Sequence, residues 1–203
     1  MLLMKVKWIN IIAVFGLISQ LYLIYMAKVL GRAGFIFDSL IFIALIVIMV
    51  FIKDKINLTW PVAFMSVAYF YLHASGVFGY YGNSPFPVPF DWVVHYFGFT
   101  VLGMIFVQTY WDECDKLSVL CMIVLACMGI GAFVELMEYE GYLHLGEGEG
   151  ALFYGPGDVN TDLMNEAGGG WINTMQDLVN NFFGTLTGMA IMLLWRFEKN
   201  YRT

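Results

Sequence analysis

The chain has 203 residues, of which 60% are hydrophobic and only 13% are charged. A soluble domain of this length needs far more charge to cover its surface, so the composition excludes that class and indicates an integral membrane protein. The net charge is −6 and the sequence has no basic patch, so nucleic acid is not an expected partner, whereas membrane lipids are.

Six apolar stretches are long enough to cross a membrane, because a helical span needs roughly 20 residues. They run over residues 8–29, 35–53, 59–80, 91–111, 117–140 and 171–196. The first stretch is too long for a signal peptide, so we predict that it is retained. The sequence therefore predicts an all-α, polytopic membrane helix bundle with about six transmembrane helices, in a single transmembrane domain over residues 1–203.

Lysine and arginine residues predict the orientation, because they are enriched in cytoplasmic loops. If the N-terminus is cytoplasmic, the cytoplasmic side carries Lys5, Lys7, Lys53, Lys55, Lys116, Arg196, Lys199 and Arg202. The opposite side then carries only Lys28 and Arg32. We therefore predict a multi-pass protein of the cell membrane with its N- and C-termini in the cytoplasm.

This orientation places two distinctive connections outside the cytoplasm. Residues 81–90 contain three prolines and are predicted to form a stiff, non-helical connection. Residues 141–170 are predicted to form a glycine-rich, acidic extracytoplasmic loop. Its acidic residues are Glu147, Glu149, Asp158, Asp162 and Glu166. Thirty residues without a helical pattern suit either a functional lid or a flexible solvated loop.

Ionisable and other strongly polar residues inside membrane spans are costly, so each needs a reason. Here they come at spacings that share a helix face. They are Asp91 and His95 in the fourth span, Glu135 and Glu138 in the fifth, and Asn173, Asp177 and Asn181 in the sixth, with His73 in the third. At about 1.5 Å per helical residue, the acidic residues and imidazoles all lie within about 10 Å of the outer ends of their spans. The pattern predicts one polar site shared by four helices.

We predict that a divalent metal ion binds at this level, because carboxylates and imidazoles are its normal ligands and one ion can bridge several helices. Without it, like charges in a low-dielectric place would repel each other. The predicted metal ligands are Asp91, His95, Glu135, Asp177, Asn181 and His73. Mixed oxygen and nitrogen donors suit zinc, manganese or iron, and calcium or magnesium if the histidines do not ligate.

Each of these residues also has a simpler interpretation. Asp91 follows Pro89 closely and could serve only as a helix N-cap. His73 could be a buried hydrogen-bonding histidine, and Glu138 could be solvated at the membrane interface. A network of protonated carboxyl groups would explain the whole set without a metal. Separately, Gly184 and Gly188 form a G-x-x-x-G pattern, which predicts close helix packing within the bundle.

Three segments resemble a known family: Asp91-Trp-Val-Val-His95, Phe133-Val-Glu135-Leu-Met-Glu138-Tyr, and Asn173-Thr-Met-Gln-Asp177-Leu-Val-Asn-Asn181-Phe-Phe-Gly184. The chain from about residue 70 onward resembles the YjdF-like inner-membrane proteins of unknown function and, more remotely, the VanZ-like proteins. The resemblance implies a small helix bundle with a polar site. It carries over Asp91, His95, Glu135, Glu138, Asp177 and Asn181 as site residues.

The chain departs from the YjdF-like pattern in its long glycine-rich loop and in Asn173, where an acidic residue is expected. VanZ-like proteins are associated with low-level glycopeptide resistance and with envelope or lipid handling, which favours envelope chemistry by analogy.

Two functional hypotheses follow. The first is a metal-dependent hydrolase or transferase acting on a lipid or envelope-linked substrate at the outer leaflet. In it, Glu135 and Glu138 supply the catalytic carboxylates, one holding the ion and the other, Glu138, acting as general base toward a water molecule. The second is a non-enzymatic membrane module: a transporter, a lipid-handling protein or an accessory subunit with partner subunits in a larger membrane complex.

Overall fold

The computed structural model describes the backbone of residues 2–113, 115–145 and 169–201, and the side chains of residues 8–113, 115–140 and 171–198. The described chain folds into six α-helices and one short 3₁₀ helix. They are α1 (Leu2–Val29), α2 (Gly34–Ile52), α3 (Trp60–Ala74), η1 (Ser75–Phe78), α4 (Phe90–Tyr110), α5 (Lys116–Leu145) and α6 (Gly169–Tyr201). Cys114 and most of the predicted loop, residues 146–168, lie outside the described residues.

Six helical segments in the described chain are long and apolar enough to cross a membrane, one for each predicted span. Their outer surfaces are apolar: Phe15, Phe51, Leu117 and Leu125 each expose more than two thirds of their area. A soluble bundle would bury such side chains, whereas lipid solvates them. The predicted all-α membrane bundle is therefore confirmed.

The spans differ from the prediction mainly at their ends. The third ends as an α-helix at Ala74 and continues as η1, whose C-cap Gly79 has a φ of 93° that favours glycine. The fifth continues as a helix to Leu145, five residues into the segment that we predicted as a loop. Local backbone turns of this kind do not show in an apolar pattern.

Helix α4 begins two residues earlier than the capping interpretation of Asp91 requires. Pro89 occupies the N-cap, with no side-chain cap hydrogen bond, and Asp91 lies inside the first turn. The capping role is therefore wrong, because proline at the boundary already fixes the backbone before the helix. The Asp91 side chain is buried, which leaves it available to the interior of the bundle.

Helix α5 begins with a side-chain cap of the kind that α4 lacks. The Ser118 backbone N–H donates to Asp115 Oδ1 at 2.9 Å, which satisfies a donor of the first turn. Hydrogen bonds from the Ser118 side chain and backbone hold the pKa of Asp115 below its usual value. Asp115 lies outside the membrane spans and is exposed, so this contact sets only where α5 begins.

The helices form two groups joined through α3 and α4. Helix α1 packs against α2 and α3, and α4 packs against α3, α5 and, most closely, α6. Helices α2, α4 and α6 begin at the same end of the bundle, where α3 and α5 approach their ends. We call this the site end, because it holds the polar residues described below.

Helices α4 and α6 approach so closely that glycine is required between them. A Cβ added at Gly188 would lie 2.0 Å from the Thr100 carbonyl oxygen, and one at Gly184 would lie 2.3 Å from the Tyr96 carbonyl oxygen. From the other side, a Cβ at Gly103 would lie 2.7 Å from the Thr185 carbonyl oxygen. The predicted role of the G-x-x-x-G pattern in packing within the bundle is confirmed.

The connection between η1 and α4 is irregular, as its prolines predict, and it packs firmly on the helices. The Tyr81 ring fills the space beside Gly76, where a Cβ would lie 2.2 Å from the ring. The same ring contacts Phe90 edge-on, with a centroid separation of 5.0 Å. Within residues 84–88, Ser84 Oγ donates to the Val88 carbonyl oxygen at 2.6 Å. These contacts fix the start of α4 and the side chains in its first turns.

Candidate metal centre

Three buried side chains from two helices form a compact cluster at the site end. Asp91 and His95 come from the first two turns of α4, and Asp177 comes from α6. Each offers one ligand atom, and these atoms all lie within 4.8 Å of one another. Asp177 is completely buried, and the other two are less than a tenth exposed. The close α4–α6 packing brings the three together.

The hydrogen bonds of His95 fix which ring nitrogen faces the cluster. Its Nδ1 lies 3.0 Å from Asn181 Oδ1, and because an amide oxygen can only accept, this contact is a hydrogen bond in the tautomer that carries its proton on Nδ1. Its Nε2 lies 3.3 Å from Asp91 Oδ1. In a neutral imidazole, Nε2 then has a free lone pair directed toward the carboxylates, which is the arrangement of a metal-ligating histidine.

Glu135 lies on the other side of the same imidazole. Its Oε1 is 4.0 Å from His95 Nδ1, and its side chain is buried. At 4.0 Å this is a charge contact and not a hydrogen bond, because the hydrogen-bond partner of Nδ1 is Asn181. The structure therefore places Glu135 behind His95, and does not include it among the three side chains whose ligand atoms converge.

Asn173 and Asn181 support the cluster from one face of α6. Asn173 Nδ2 donates to Asp177 Oδ2 at 3.2 Å and orients that carboxylate. Asn181 is fully buried, and its side chain occupies space that Gly131 of α5 leaves open. A Cβ at Gly131 would lie 2.7 Å from Asn181 Nδ2. Asn181 thus acts on His95 through its amide oxygen.

The donor set and its spacing fit a divalent ion. Two ligands that each lie roughly 2.1 Å from a metal are at most about 4.2 Å apart. The ligand atoms in the cluster are at most 4.8 Å apart, so a small side-chain movement would bring all three within binding distance of one ion. Two carboxylates and one imidazole are an established ligand set for zinc, manganese and iron.

His73 and Glu138 lie in a neighbouring cavity, which we call the α2–α3–α5 cavity. Its volume is about 200 Å³, and its polar lining consists of Asp38, Tyr69, His73 and Glu138. The His73 ring contacts Phe42 and Tyr81 edge-on, at centroid separations of 5.1 and 6.2 Å. Among the described residues, His73 and Glu138 are not part of the group that can converge on one ion.

The sequence interpretation missed two polar residues of the first helices. Asp38 lies in α2, the most hydrophobic span, and is only 6% exposed. A single acid in such a span is itself a signal, because burying it is costly. Gln20 of α1 is fully buried, and neither of its amide atoms has a hydrogen-bond partner in the described chain.

These features define an α-helical, multi-pass membrane protein with a buried carboxylate–imidazole cluster at one end of the bundle. A family model described as "Predicted membrane protein (DUF2238)" matches residues 9–198, so the chain belongs to that family. The match agrees with the resemblance to YjdF-like proteins, while the remote VanZ-like resemblance stays a prediction. Neither a search of curated proteins nor a search of solved structures finds a match.

Proposed function

We propose that this integral membrane protein binds a divalent metal ion through Asp91, His95 and Asp177, and uses it to hydrolyse a lipid or envelope-linked substrate. The observation that carries the proposal is the convergence of three buried ligand atoms within 4.8 Å, one of which is a ring nitrogen of His95. A divalent ion held there lowers the pKa of a coordinated water toward neutrality, which supplies a nucleophile.

The protein's own residues would have separate roles at this site. Asn181 holds the His95 ring through its contact with Nδ1, Glu135 acts on the same ring through its charge, and Asn173 orients Asp177. Glu135 is thus proposed as a positioning residue for His95. The general-base role predicted for Glu138 is retained as part of the proposal, acting from the adjoining cavity.

The proposed orientation places the site end outside the cytoplasm. Eight of the ten lysine and arginine residues lie in segments assigned to the other side, including Arg196, which pairs with Asp112 near the end of α4. The substrate would then be reached from the outer leaflet of a cell membrane.

Elemental analysis of detergent-purified protein tests the metal site. We expect one zinc, manganese or iron ion per chain in the wild-type protein. Asp177→Asn should lose the ion, because it removes a ligand charge. Glu135→Gln should retain it with roughly 10- to 100-fold weaker affinity, which is the usual effect of losing a carboxylate behind a ligating histidine. The matched control is Asp54→Asn, an exposed acid beyond the other end of α2.

Incubation of the metal-loaded protein with vesicles of phosphatidylethanolamine and phosphatidylglycerol tests the reaction. Mass spectrometry should detect a hydrolysed lipid that is absent with Asp177→Asn. A folded wild-type protein without metal would overturn the proposed site. Bound metal without any lipid product would contradict the proposed hydrolase activity. It would support a non-enzymatic lipid-handling protein or accessory subunit.

A further inference from the structure

We propose that the α2–α3–α5 cavity binds the primary ammonium group of an aminophospholipid, presented from the surrounding membrane. Asp38 and Glu138 accept its N–H groups, and the Phe42 and Tyr69 rings enclose it. This inference does not require the metal, although it shares Glu138 with the proposed reaction, whose general base faces the same cavity.

Charge is the first argument for an ammonium group. The cavity brings Asp38 of α2 and Glu138 of α5 to one space, together with the His73 imidazole and the Tyr69 phenol from α3. Two carboxylates facing one cavity favour a cationic ligand and disfavour an anionic one. The remaining lining is apolar or aromatic, so the ligand must leave water to enter, which strengthens its attraction to the carboxylates.

An unmet hydrogen-bond acceptor is the second argument. Asp38 is only 6% exposed, and its Oδ1 is fully buried without a hydrogen-bond partner in the described chain. His73 Nδ1 is also buried without a partner there. A buried acceptor without a donor is costly. A primary ammonium group brings three donors and no acceptor, and so can satisfy the Asp38 carboxylate and other acceptors of the cavity together.

The spacing of these groups disfavours a single metal ion. Among the described residues, only Asp91, His95 and Asp177 bring three ligand atoms within 4.8 Å, and the group around Asp38 does not. An ammonium group with its carbon chain fills a wider space than an ion does. The aromatic rings beside the carboxylates, from Phe42 and Tyr69, are the partners that organic cations prefer.

The position of the cavity favours a lipid over a soluble amine. Phe133, which lines the cavity, is 60% exposed on the outer surface of α5, and its neighbour Leu136 is 61% exposed. The cavity therefore borders an apolar surface that faces lipid. Its volume of about 200 Å³ suits a headgroup more than a whole lipid, whose acyl chains would stay in the membrane.

Native mass spectrometry with lipids of identical acyl chains tests the proposal, in chelator so that the metal plays no part. We expect phosphatidylethanolamine to bind the wild-type protein about tenfold more tightly than phosphatidylcholine, because a quaternary ammonium cannot donate hydrogen bonds. Phosphatidylglycerol should bind more weakly than either. Asp38→Asn and Glu138→Gln should each reduce the affinity for phosphatidylethanolamine to the level of phosphatidylcholine, while Asp54→Asn keeps the wild-type preference.

Three results would overturn the proposal. Equal affinity of the wild-type protein for phosphatidylethanolamine and phosphatidylcholine would show that the protein does not recognise the N–H groups of a primary ammonium. A preference that survives both Asp38→Asn and Glu138→Gln would place the lipid elsewhere. Titration with manganese that finds two ions in the wild-type protein and one in Asp38→Asn would make the cavity a second metal site. Asp177→Asn separates this proposal from the metal centre, because it should bind phosphatidylethanolamine normally.

Discussion

Gly188→Ala is expected to destabilise the folded bundle by about 3 kcal/mol, the upper range for overpacking a tight interface. The added Cβ would lie 2.0 Å from the Thr100 carbonyl oxygen and 3.0 Å from the Met104 backbone nitrogen. Both neighbours are backbone atoms of α4, so no side chain can move aside. Helix α6 must shift away from α4, which weakens the closest interface in the bundle. Thermal unfolding in detergent measures the loss.

Gly129→Ala is the matched control for this substitution. Gly129 lies inside α5, and an added Cβ would meet nothing within 4 Å. Alanine should therefore be neutral, or stabilise the helix by up to about 1 kcal/mol. Equal stability of the two variants would contradict the close packing of α4 and α6. Because that packing also joins His95 to Asp177, Gly188→Ala should weaken metal binding although it lies roughly 16 Å along α6 from Asp177.

Removal of the metal by a chelator is expected to lower the thermal unfolding midpoint of the wild-type protein by roughly 10 °C. A ligand present at a thousandfold excess over its dissociation constant stabilises the folded state by about 4 kcal/mol, and each kcal/mol shifts a chain of this size by roughly 2–4 °C. Without the ion, ionised carboxylates of Asp91 and Asp177 would repel each other.

Two variants bracket this chelator effect. Asp177→Asn should unfold at the same temperature with and without chelator, because it has no ion to lose. Asp54→Asn should keep the full wild-type shift, since its exposed side chain lies in the connection after α2. An unfolding midpoint of the wild-type protein that does not respond to chelator would contradict a metal with a structural contribution.

Much of the fold could be predicted because each span carries its own signal. A run of about 20 apolar residues has few alternatives in a membrane, so all six spans were found to within a few residues at most ends. Their ends were less accurate, since the conversion of α3 to η1 and the extension of α5 to Leu145 depend on local turns and packing.

The candidate site was more predictable within each helix than between helices, where only the depth of the polar residues gave a signal. Spacings of four residues placed Asp91 with His95, and Asp177 with Asn181, on shared faces, and the structure brings these four together. His73 has no acidic or amide partner at such a spacing in α3, so the sequence does not indicate which way that helix turns its histidine. His73 was therefore assigned to the metal, whereas it lines the cavity with Asp38.

The most direct test of the metal centre is electron spin-echo spectroscopy of protein loaded with manganese(II). We expect nitrogen modulation from one coordinated imidazole, lost in His95→Gln and retained in His73→Gln. A spectrum without nitrogen modulation, or one whose modulation persists in His95→Gln, would contradict coordination by His95 and the site built around it.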